Sequence, residues 1–153
     1  DPSGAGRLNA NSDPNRGSAT VGIVLRMLNP DIRDLAQAKN FAALTVIPKS
    51  GLPMNHVMWI DADDEHVLIN TELGRAKATA MDNDGRVAVA IWDAENPYHY
   101  AEVRGTVVGT TTGQEAADHI NALSQKYTGG PYAFGATDRR IIYRVAPTHQ
   151  RLQ

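Results

Sequence analysis

Two apolar, β-branched runs, separated by a short alanine-rich segment, form the centre of the hydrophobic pattern. The first run covers residues 67–69 and is followed by the polar pair Asn70 and Thr71, and the second run covers residues 87–92. Between the two runs, apolar residues recur close to helical spacing at Leu73, Ala76, Ala80 and Met81. Because strands and helices differ in hydrophobic period, this pattern predicts a strand, a short helix and a second strand.

Two further helices are predicted on either side of this centre. Asn29 followed by Pro30 is typical of a helix start, which predicts a helix over residues 31–39. Its inward-facing residues are predicted to be Ile32, Leu35 and Ala36. Residues 112–115 match a capping box, so a longer helix is predicted to begin there and to end at Gly129. Its inward face is predicted to carry Ala116, Ile120, Leu123 and Tyr127.

Apolar runs bounded by turn residues predict six strands, at residues 41–47, 54–61, 66–70, 87–92, 98–111 and 139–145. Short turns join the first three, which are predicted to form an antiparallel meander. The strand–helix–strand rhythm of a parallel sheet is missing, so residues 30–153 are predicted to form a mainly β domain with peripheral helices, an antiparallel barrel-like sheet. Residues 1–29 begin with many small and polar residues and are predicted to be an extended or flexible N-terminal arm.

The composition excludes several classes of protein. The chain has 153 residues and a formal net charge of −2, which indicates one domain and gives no sign of a nucleic-acid or membrane surface. No apolar run is long enough to span a bilayer. Since the chain contains no cysteine, it has no disulfide, no thiol nucleophile and no cysteine-ligated metal. A reducing cytoplasm is compatible with this composition and is the expected location.

Motifs for metal binding and for nucleophilic catalysis are missing from the sequence. The five histidines show neither His-x-His nor His-x3-His spacing, and no His-Glu-x-x-His occurs, so no metal site is predicted. The sequence also lacks the Gly-x-Ser-x-Gly elbow of hydrolases and the glycine-rich phosphate loops of nucleotide-binding proteins. The basic and aromatic residues are therefore the better guide to the chemistry.

Two basic residues, Arg75 and Lys77, lie where the central helix is predicted to begin. A helix N-terminus has free N–H groups and partial positive charge, so basic side chains are slightly unfavourable there. A bound anion would remove this conflict, because the backbone donors, the helix dipole and the two cations would converge on it. Taken alone, the pair is more often two solvated surface charges, and a phosphate site is the alternative that the helix start offers.

Aromatic residues and histidines lie near several predicted strand ends. Trp92 and Tyr98 flank a polar loop, which favours a ligand-binding or dimer cleft. Trp59 ends an earlier strand, where a core or subunit contact is favoured over stacking on a ligand. His99 is predicted to be a surface or interface residue, and His56, which alternates with apolar neighbours, either faces a pocket or caps the sheet.

Several short motifs together resemble a known superfamily. They are Phe-Ala-Ala-Leu-Thr-Val-Ile-Pro at 41–48, Gly-Leu-Pro at 51–53 before Val57 and Trp59, Gly-Arg-Ala-Lys at 74–77, Asn-Pro-Tyr at 96–98 and Val-Arg-Gly at 103–105. In this order they resemble the split β-barrel superfamily of flavin and deazaflavin oxidoreductases, over about residues 32–147. That superfamily includes pyridoxamine 5′-phosphate oxidase and the actinobacterial reductases that use coenzyme F-420, which this chain resembles most.

The resemblance implies a fold, an assembly and a set of site residues. The implied fold is the FMN-binding split β-barrel, and the implied assembly is a homodimer with two cofactor sites at the subunit interface. Arg75 and Lys77 are implied to bind the cofactor phosphate. The residues implied to line the ring and ribityl chain are His56, Val57, Met58, Asn70 and Thr71. Those implied to approach from the other subunit are Trp92, Tyr98 and His99.

The implied activity is hydride transfer between coenzyme F-420 and a small conjugated or unsaturated acceptor. Such a reaction needs positioning and exclusion of water rather than a catalytic triad. The alternatives are the same fold using FMN, and a non-catalytic protein that carries either cofactor. Pyridoxamine phosphate is not the expected substrate, because Ala76 separates two basic residues that are adjacent in those oxidases, and residues 145–153 contain no tryptophan.

Overall fold

Seven strands and three helices are formed by residues 27–153, the part of the chain that this computed structural model describes. The helices are α1 (Pro30–Gln37), α2 (Ala76–Asn83) and α3 (Gln114–Thr128). The strands are β1 (Phe41–Val46), β2 (Met54–Trp59), β3 (Asp61–Ala62), β4 (Val67–Glu72), β5 (Arg86–Trp92), β6 (Tyr100–Thr112) and β7 (Arg140–Leu152). The mainly β class with peripheral helices is confirmed. The predicted arm lies outside the described residues except for its last three, of which Leu28 is buried in the core.

The two helices predicted outside the centre are confirmed, with a correction at one cap. The Asn29 side chain accepts the Asp31 backbone N–H at 2.9 Å and caps α1, whose buried residues are Ile32, Leu35 and Ala36. The capping box predicted for α3 is wrong. The N-cap is Gly113, with a φ of 75°, and no described side chain forms a capping hydrogen bond at the start of this helix. The predicted inward face of α3 is confirmed, and α3 ends at Gly129 in the left-handed conformation.

The central helix, α2, is confirmed, but it buries only part of the predicted apolar set. Its buried residues are Ala78, Ala80 and Met81, whereas Leu73 and Ala76 are exposed. Gly74 turns the chain between β4 and α2, with a φ of +86°. Leu73 therefore precedes the helix and does not share its phase, which the spacing of apolar residues could not reveal.

All neighbouring strands pair antiparallel, in one curled sheet of order β2-β1-β5-β6-β7-β4-β3. The meander predicted for the first three strands is confirmed in its pairings but not as a continuous unit. β1 pairs with β2 and the short β3 pairs with β4, but the second predicted strand is divided between β2 and β3, and β4 also pairs with β7, which lies far along the chain. The hydrophobic pattern of a strand indicates which face is buried, whereas its partner depends on how the whole core assembles.

The single strand predicted over residues 54–61 is broken at Ile60 into β2 and β3. Because β2 and β3 lie at opposite ends of the sheet order, this segment joins the two edges of the curled sheet. Ile60 is fully buried, and its backbone bonds to side chains of α3. Its N–H donates to the Tyr127 hydroxyl at 3.1 Å, and its C=O accepts the Lys126 ammonium at 2.6 Å. These partners satisfy the buried backbone groups that a break in a strand would otherwise leave unpaired.

β6 and β7 form the longest pairing of the sheet. β7 extends to Leu152 and does not end at residue 145 as predicted. Two register shifts bend the pair, and the first lies between Arg104 and Gly105. Glycine is required there, because a Cβ at Gly105 would lie 2.1 Å from the Ala146 carbonyl oxygen.

The main core fills the inside of the curled sheet, where α1 and α2 contribute buried side chains. A smaller cluster lies under α3 and consists of Ile120, Leu123 and Tyr127, with Phe41, Trp59 and Tyr132 packed against it. α3 therefore covers a second apolar surface, beside the break at Ile60. Among the described helices, none is long and apolar enough to cross a membrane.

Tyr127→Phe is expected to lower the free energy of unfolding by about 1–3 kcal/mol, because the buried Ile60 N–H and the Asn40 C=O both lose their hydroxyl partner. Burial raises the pKa of Tyr127 to about 12, so the hydroxyl remains protonated at neutral pH. Urea denaturation followed by far-ultraviolet circular dichroism measures the change. The control is Tyr98→Phe, since the Tyr98 side chain is exposed. Equal stability of the two variants would contradict the role given to the Ile60 contact.

Candidate functional site

A cavity of about 340 Å³ opens between β2, the end of β4, the start of α2 and α3. Its lining has two chemically different parts. The basic part is formed by Asn70, Thr71, Arg75, Lys77 and Arg140. The aromatic part is formed mainly by Val57, Met58, Trp59, Tyr132 and Phe134. The cavity therefore suits a molecule that carries both an anionic group and a flat apolar group.

The turn between β4 and α2 places Arg75 and Lys77 beside the cavity. Gly74 occupies the left-handed region that glycine adopts without strain, and Arg75 follows it as the N-cap of α2. The Arg75 guanidinium bonds to the Glu72 carboxylate at 3.2 Å and stays largely exposed. No described side chain caps α2, so the first N–H groups of the helix remain available to a ligand.

Lys77 is a half-buried cation without an anionic partner. Its ammonium group forms no hydrogen bond or ion pair with any of residues 27–153. Burial lowers the pKa of Lys77, and the positive charges of Arg75 and Arg140 lower it further. Three cations therefore meet at one part of the cavity, which favours the binding of an anion there.

Arg140 is a buried member of this group that the sequence analysis missed. Only 6% of the residue is exposed, and its Nε donates to the Asn70 side-chain oxygen at 2.9 Å. Its guanidinium also lies 5.2 Å from the centre of the Tyr132 ring. Ile141, Tyr143 and Val145 alternate along the last strand, which predicts that Arg140, on the other face, points to solvent. However, both faces of β7 are buried at this end. The signal available in the sequence is Ile142, an apolar residue on the same face as Arg140.

Thr71 contributes a buried hydroxyl that has no partner. The residue is 2% exposed, and its Oγ1 bonds to no group in the described part of the chain. An unpaired buried hydroxyl costs free energy, so a group of this kind at a cavity wall indicates a position that a ligand would satisfy.

The aromatic part of the cavity is built on Trp59. One face of its ring stacks on Tyr127, with ring centres 5.0 Å apart, and Tyr132 and Phe134 meet it edge-on at 6.2 and 6.0 Å. Phe134 is 71% exposed and Val57 is 69% exposed, so the rim presents apolar surface to the outside. Tyr132 and Phe134 were missed because their loop has no hydrophobic period; the available signal is two closely spaced aromatic residues.

The structure brings six of the ten predicted site residues together in this cavity. They are Val57, Met58, Asn70, Thr71, Arg75 and Lys77. His56, nearer the start of β2, is not part of the lining. No group of three His, Asp or Glu side chains within residues 27–153 is arranged to hold a metal ion.

The remaining three predicted residues lie around the end of β5, outside the cavity. Trp92 packs near Phe41, with ring centres 6.4 Å apart. Tyr98 is exposed, and the His99 ring nitrogen Nδ1 lies 2.7 Å from the Gln153 carbonyl oxygen. The approach of Trp92, Tyr98 and His99 to a cofactor in a second subunit stays a prediction.

Comparisons with known proteins agree on the fold. The sequence model of the pyridoxamine 5′-phosphate oxidase family matches residues 28–151. Among solved structures, an F-420 reductase is 25% identical to this chain, with a TM-score of 0.69, covering 81% of this chain and 98% of its own. A conserved hypothetical protein from Mycobacterium tuberculosis is 20% identical, with a TM-score of 0.65 and coverages of 84% and 85%. General stress protein 26 from Bacillus anthracis is 16% identical, with a TM-score of 0.59 and coverages of 79% and 89%. No curated protein sequence matches this chain.

An anion bound in the basic part of the cavity is expected to raise the pKa of Lys77, because negative charge stabilises the ammonium form that burial and two cations destabilise. A lowered pKa in the folded state means that the unfolded chain binds more protons, so stability rises as the pH increases through the lowered pKa. The bound anion is expected to diminish this rise.

A carbon-13 NMR titration of the lysine ε-methylene groups, with inorganic phosphate or with chloride at equal ionic strength, measures this shift. The exposed Lys39, which lies outside the cavity, is the internal reference. If phosphate leaves the titration of Lys77 unchanged, the cavity has no anion site at this lysine.

Proposed function

Because the chain belongs to the pyridoxamine 5′-phosphate oxidase family, within the split β-barrel superfamily of flavin and deazaflavin oxidoreductases, we propose that it uses the deazaflavin coenzyme F-420. The proposed reaction is hydride transfer between F-420 and a small conjugated or unsaturated acceptor. The similarity to an F-420 reductase at 25% identity supports this choice of cofactor. A cytoplasmic location is part of the proposal and agrees with the cysteine-free sequence.

The observation that carries the proposal is the convergence of Arg75, Lys77 and Arg140 on one cavity that also has an aromatic part. A phosphate-bearing cofactor with a flat ring matches both parts. The fit is supported by the unpaired Thr71 hydroxyl and by the uncapped start of α2, which both offer hydrogen bonds to a ligand.

Each residue then has a stated role. Arg75 and Lys77 hold the cofactor phosphate, with the first N–H groups of α2 as additional donors. Asn70 and Thr71 bind the polar chain of the cofactor, and Val57 and Met58, with Trp59 beside them, pack against its ring. When bound, the deazaflavin supplies the ring that carries the hydride.

The contribution of the protein is positioning and exclusion of water. The Trp59 ring is held by its stack on Tyr127, so the aromatic part of the cavity is already formed without a ligand. The exposed side chains of Val57 and Phe134 leave this part open on one side. We propose that a second subunit covers it and contributes Trp92, Tyr98 and His99, which makes the protein a homodimer.

FMN is the alternative cofactor, since it shares the phosphate, the ribityl chain and the flat ring. A non-catalytic protein that carries F-420 or FMN is a further alternative. Parallel titrations of the purified protein with F-420 and with FMN, followed by fluorescence, distinguish the two cofactors. Tight binding of F-420 alone supports the proposal, preference for FMN moves the protein to the flavin branch, and binding of neither overturns the cofactor assignment. Turnover with a panel of conjugated acceptors separates an enzyme from a carrier.

Lys77→Ala is expected to weaken F-420 binding by about 1.5–3 kcal/mol, the size of a lost hydrogen bond to a charged group. The fold without cofactor should remain nearly intact, because Lys77 makes no contact that another described side chain depends on. Isothermal titration calorimetry measures the dissociation constant. Lys39→Ala removes an exposed lysine outside the cavity and should leave the constant unchanged. Equal constants for the Lys77 variant and the unmodified protein would refute the phosphate assignment.

Tyr98→Glu is expected to convert the proposed dimer to monomers, because it places a charge where an exposed aromatic residue is proposed to meet the second subunit. Sedimentation velocity measures the mass of the particle. Val108→Glu, at another exposed apolar residue outside the proposed interface, is the matched control and should remain a dimer. A monomeric unmodified protein would exclude the dimer, and a dimeric Tyr98 variant would exclude Tyr98 from its interface.

A further inference from the structure

A series of four polar side chains leads from the basic part of the cavity through His119 on α3 to Asp61 on β3. Arg140 Nε donates to Asn70 Oδ1 at 2.9 Å. Asn70 Nδ2 lies 2.9 Å from His119 Nδ1, and His119 Nε2 lies 2.9 Å from Asp61 Oδ2. We call Asp61, His119, Asn70 and Arg140 the polar series.

The chemistry of each group determines the direction of these hydrogen bonds. A guanidinium can only donate, so the Asn70 atom facing Arg140 is its oxygen. The Asn70 amide nitrogen therefore faces His119 and uses its two hydrogens on His119 Nδ1 and on the Ala116 carbonyl oxygen at 3.1 Å. His119 Nδ1 must then accept, which places the imidazole proton on Nε2, where it is donated to the Asp61 carboxylate.

The polar series is buried at its cavity end and more open at its other end. Asn70 and Arg140 are each 6% exposed, whereas the side chains of His119 and Asp61 are 13% and 28% exposed. His119 lines a second cavity of about 360 Å³, and neither His119 nor Asp61 lines the first. These two residues can therefore act on a ligand in the first cavity only through Asn70 and Arg140.

We infer that Asp61 and His119 are positioning residues for the anion-binding part of the cavity. This inference rests on the proposed function. Asp61 holds the imidazole proton on Nε2, the free Nδ1 orients the Asn70 amide, and the amide oxygen holds the Arg140 guanidinium beside Lys77. A cation fixed in this way loses less conformational freedom when an anion binds than a mobile cation does.

Protonation of His119 breaks the series at a defined point. With hydrogens on both ring nitrogens, His119 cannot accept from Asn70, and the amide can avoid the clash only by turning its nitrogen toward Arg140. Further charged groups around His119 come from three elements of the fold and are Asp63 before β4, Glu115 and Asp118 on α3, and Arg144 on β7.

Two substitutions of His119 separate its two ring nitrogens. His119→Asn places an oxygen near the position of Nδ1 and preserves the acceptor for Asn70. His119→Gln preserves a donor near the position of Nε2 but removes that acceptor. We expect His119→Gln to weaken F-420 binding about tenfold, which is the effect of losing one hydrogen bond that orients a charged group. We expect His119→Asn to keep most of the affinity of the unmodified protein. Asp118→Asn, which removes a charge next to His119 outside the series, is the control and should bind as the unmodified protein does.

A second measurement requires no cofactor. Long-range nitrogen-15 NMR spectra report which ring nitrogen of His119 carries the proton, and the Arg140 Nε–H resonance reports its bond to Asn70. We expect a proton on Nε2 and an Arg140 resonance that shifts with the same midpoint as His119 when the pH is lowered. In the His119→Gln variant, that shift of the Arg140 resonance should disappear.

The two measurements distinguish failure of this inference from failure of the proposed function. If the unmodified protein binds neither F-420 nor FMN, the proposed function fails, while the NMR titration still decides whether His119 controls Arg140. If the protein binds F-420 but His119→Gln binds equally well, the inference is overturned and the proposed function stands. A proton on Nδ1, or an Arg140 resonance indifferent to the titration of His119, also overturns the inference.

Discussion

The contact between the Ile60 backbone and α3 is the interaction on which the rest of this structure depends. One chain segment supplies both edges of the curled sheet, and it can do so only if the residue between β2 and β3 leaves the strand ladder. A fully buried peptide group that leaves a ladder needs other partners, and Tyr127 and Lys126 provide them. The same contact holds α3 against the sheet. Trp59, the residue before the break, stacks on Tyr127 and so becomes a fixed wall of the cavity.

The basic part of the cavity holds more positive charge than the described side chains neutralise, and this excess supports the proposed function. Three cations lie near one another, and Lys77 among them has no anionic partner within the described residues. The fold tolerates this because Arg140 is hydrogen bonded to Asn70 and Arg75 is paired with Glu72 at the surface. The remaining excess of positive charge favours a phosphate group, which would restore neutrality where α2 begins. An anion would therefore be favoured both by its direct attraction to the cations and by the relief of the repulsion among them.

The two parts of the cavity agree with the proposed hydride transfer, which needs positioning more than acid–base groups. The Trp59 wall is rigid, whereas Val57 and Phe134 leave the same part open to the outside. The proposed dimer would supply a second surface over this open side and exclude water from it. The polar series connects Arg140 through Asn70 to His119 on α3, which is the basis of the positioning role inferred for His119.

The sequence by itself determined the features that depend on local periodicity. It predicted the bounds of most strands, the buried faces of α1 and α3, and the position of Arg75 and Lys77 at a helix start. Only the tertiary structure decided the pairing of β4 with β7, the break at Ile60 and the burial of Arg140. The physical reason is that periodicity records which side chains leave water, whereas strand partners and buried backbone contacts are chosen between segments far apart in the chain. Arg140 shows the difference most clearly, since its neighbours in sequence predict a solvent-facing residue and only its contacts with Asn70 and Tyr132 make it part of the site.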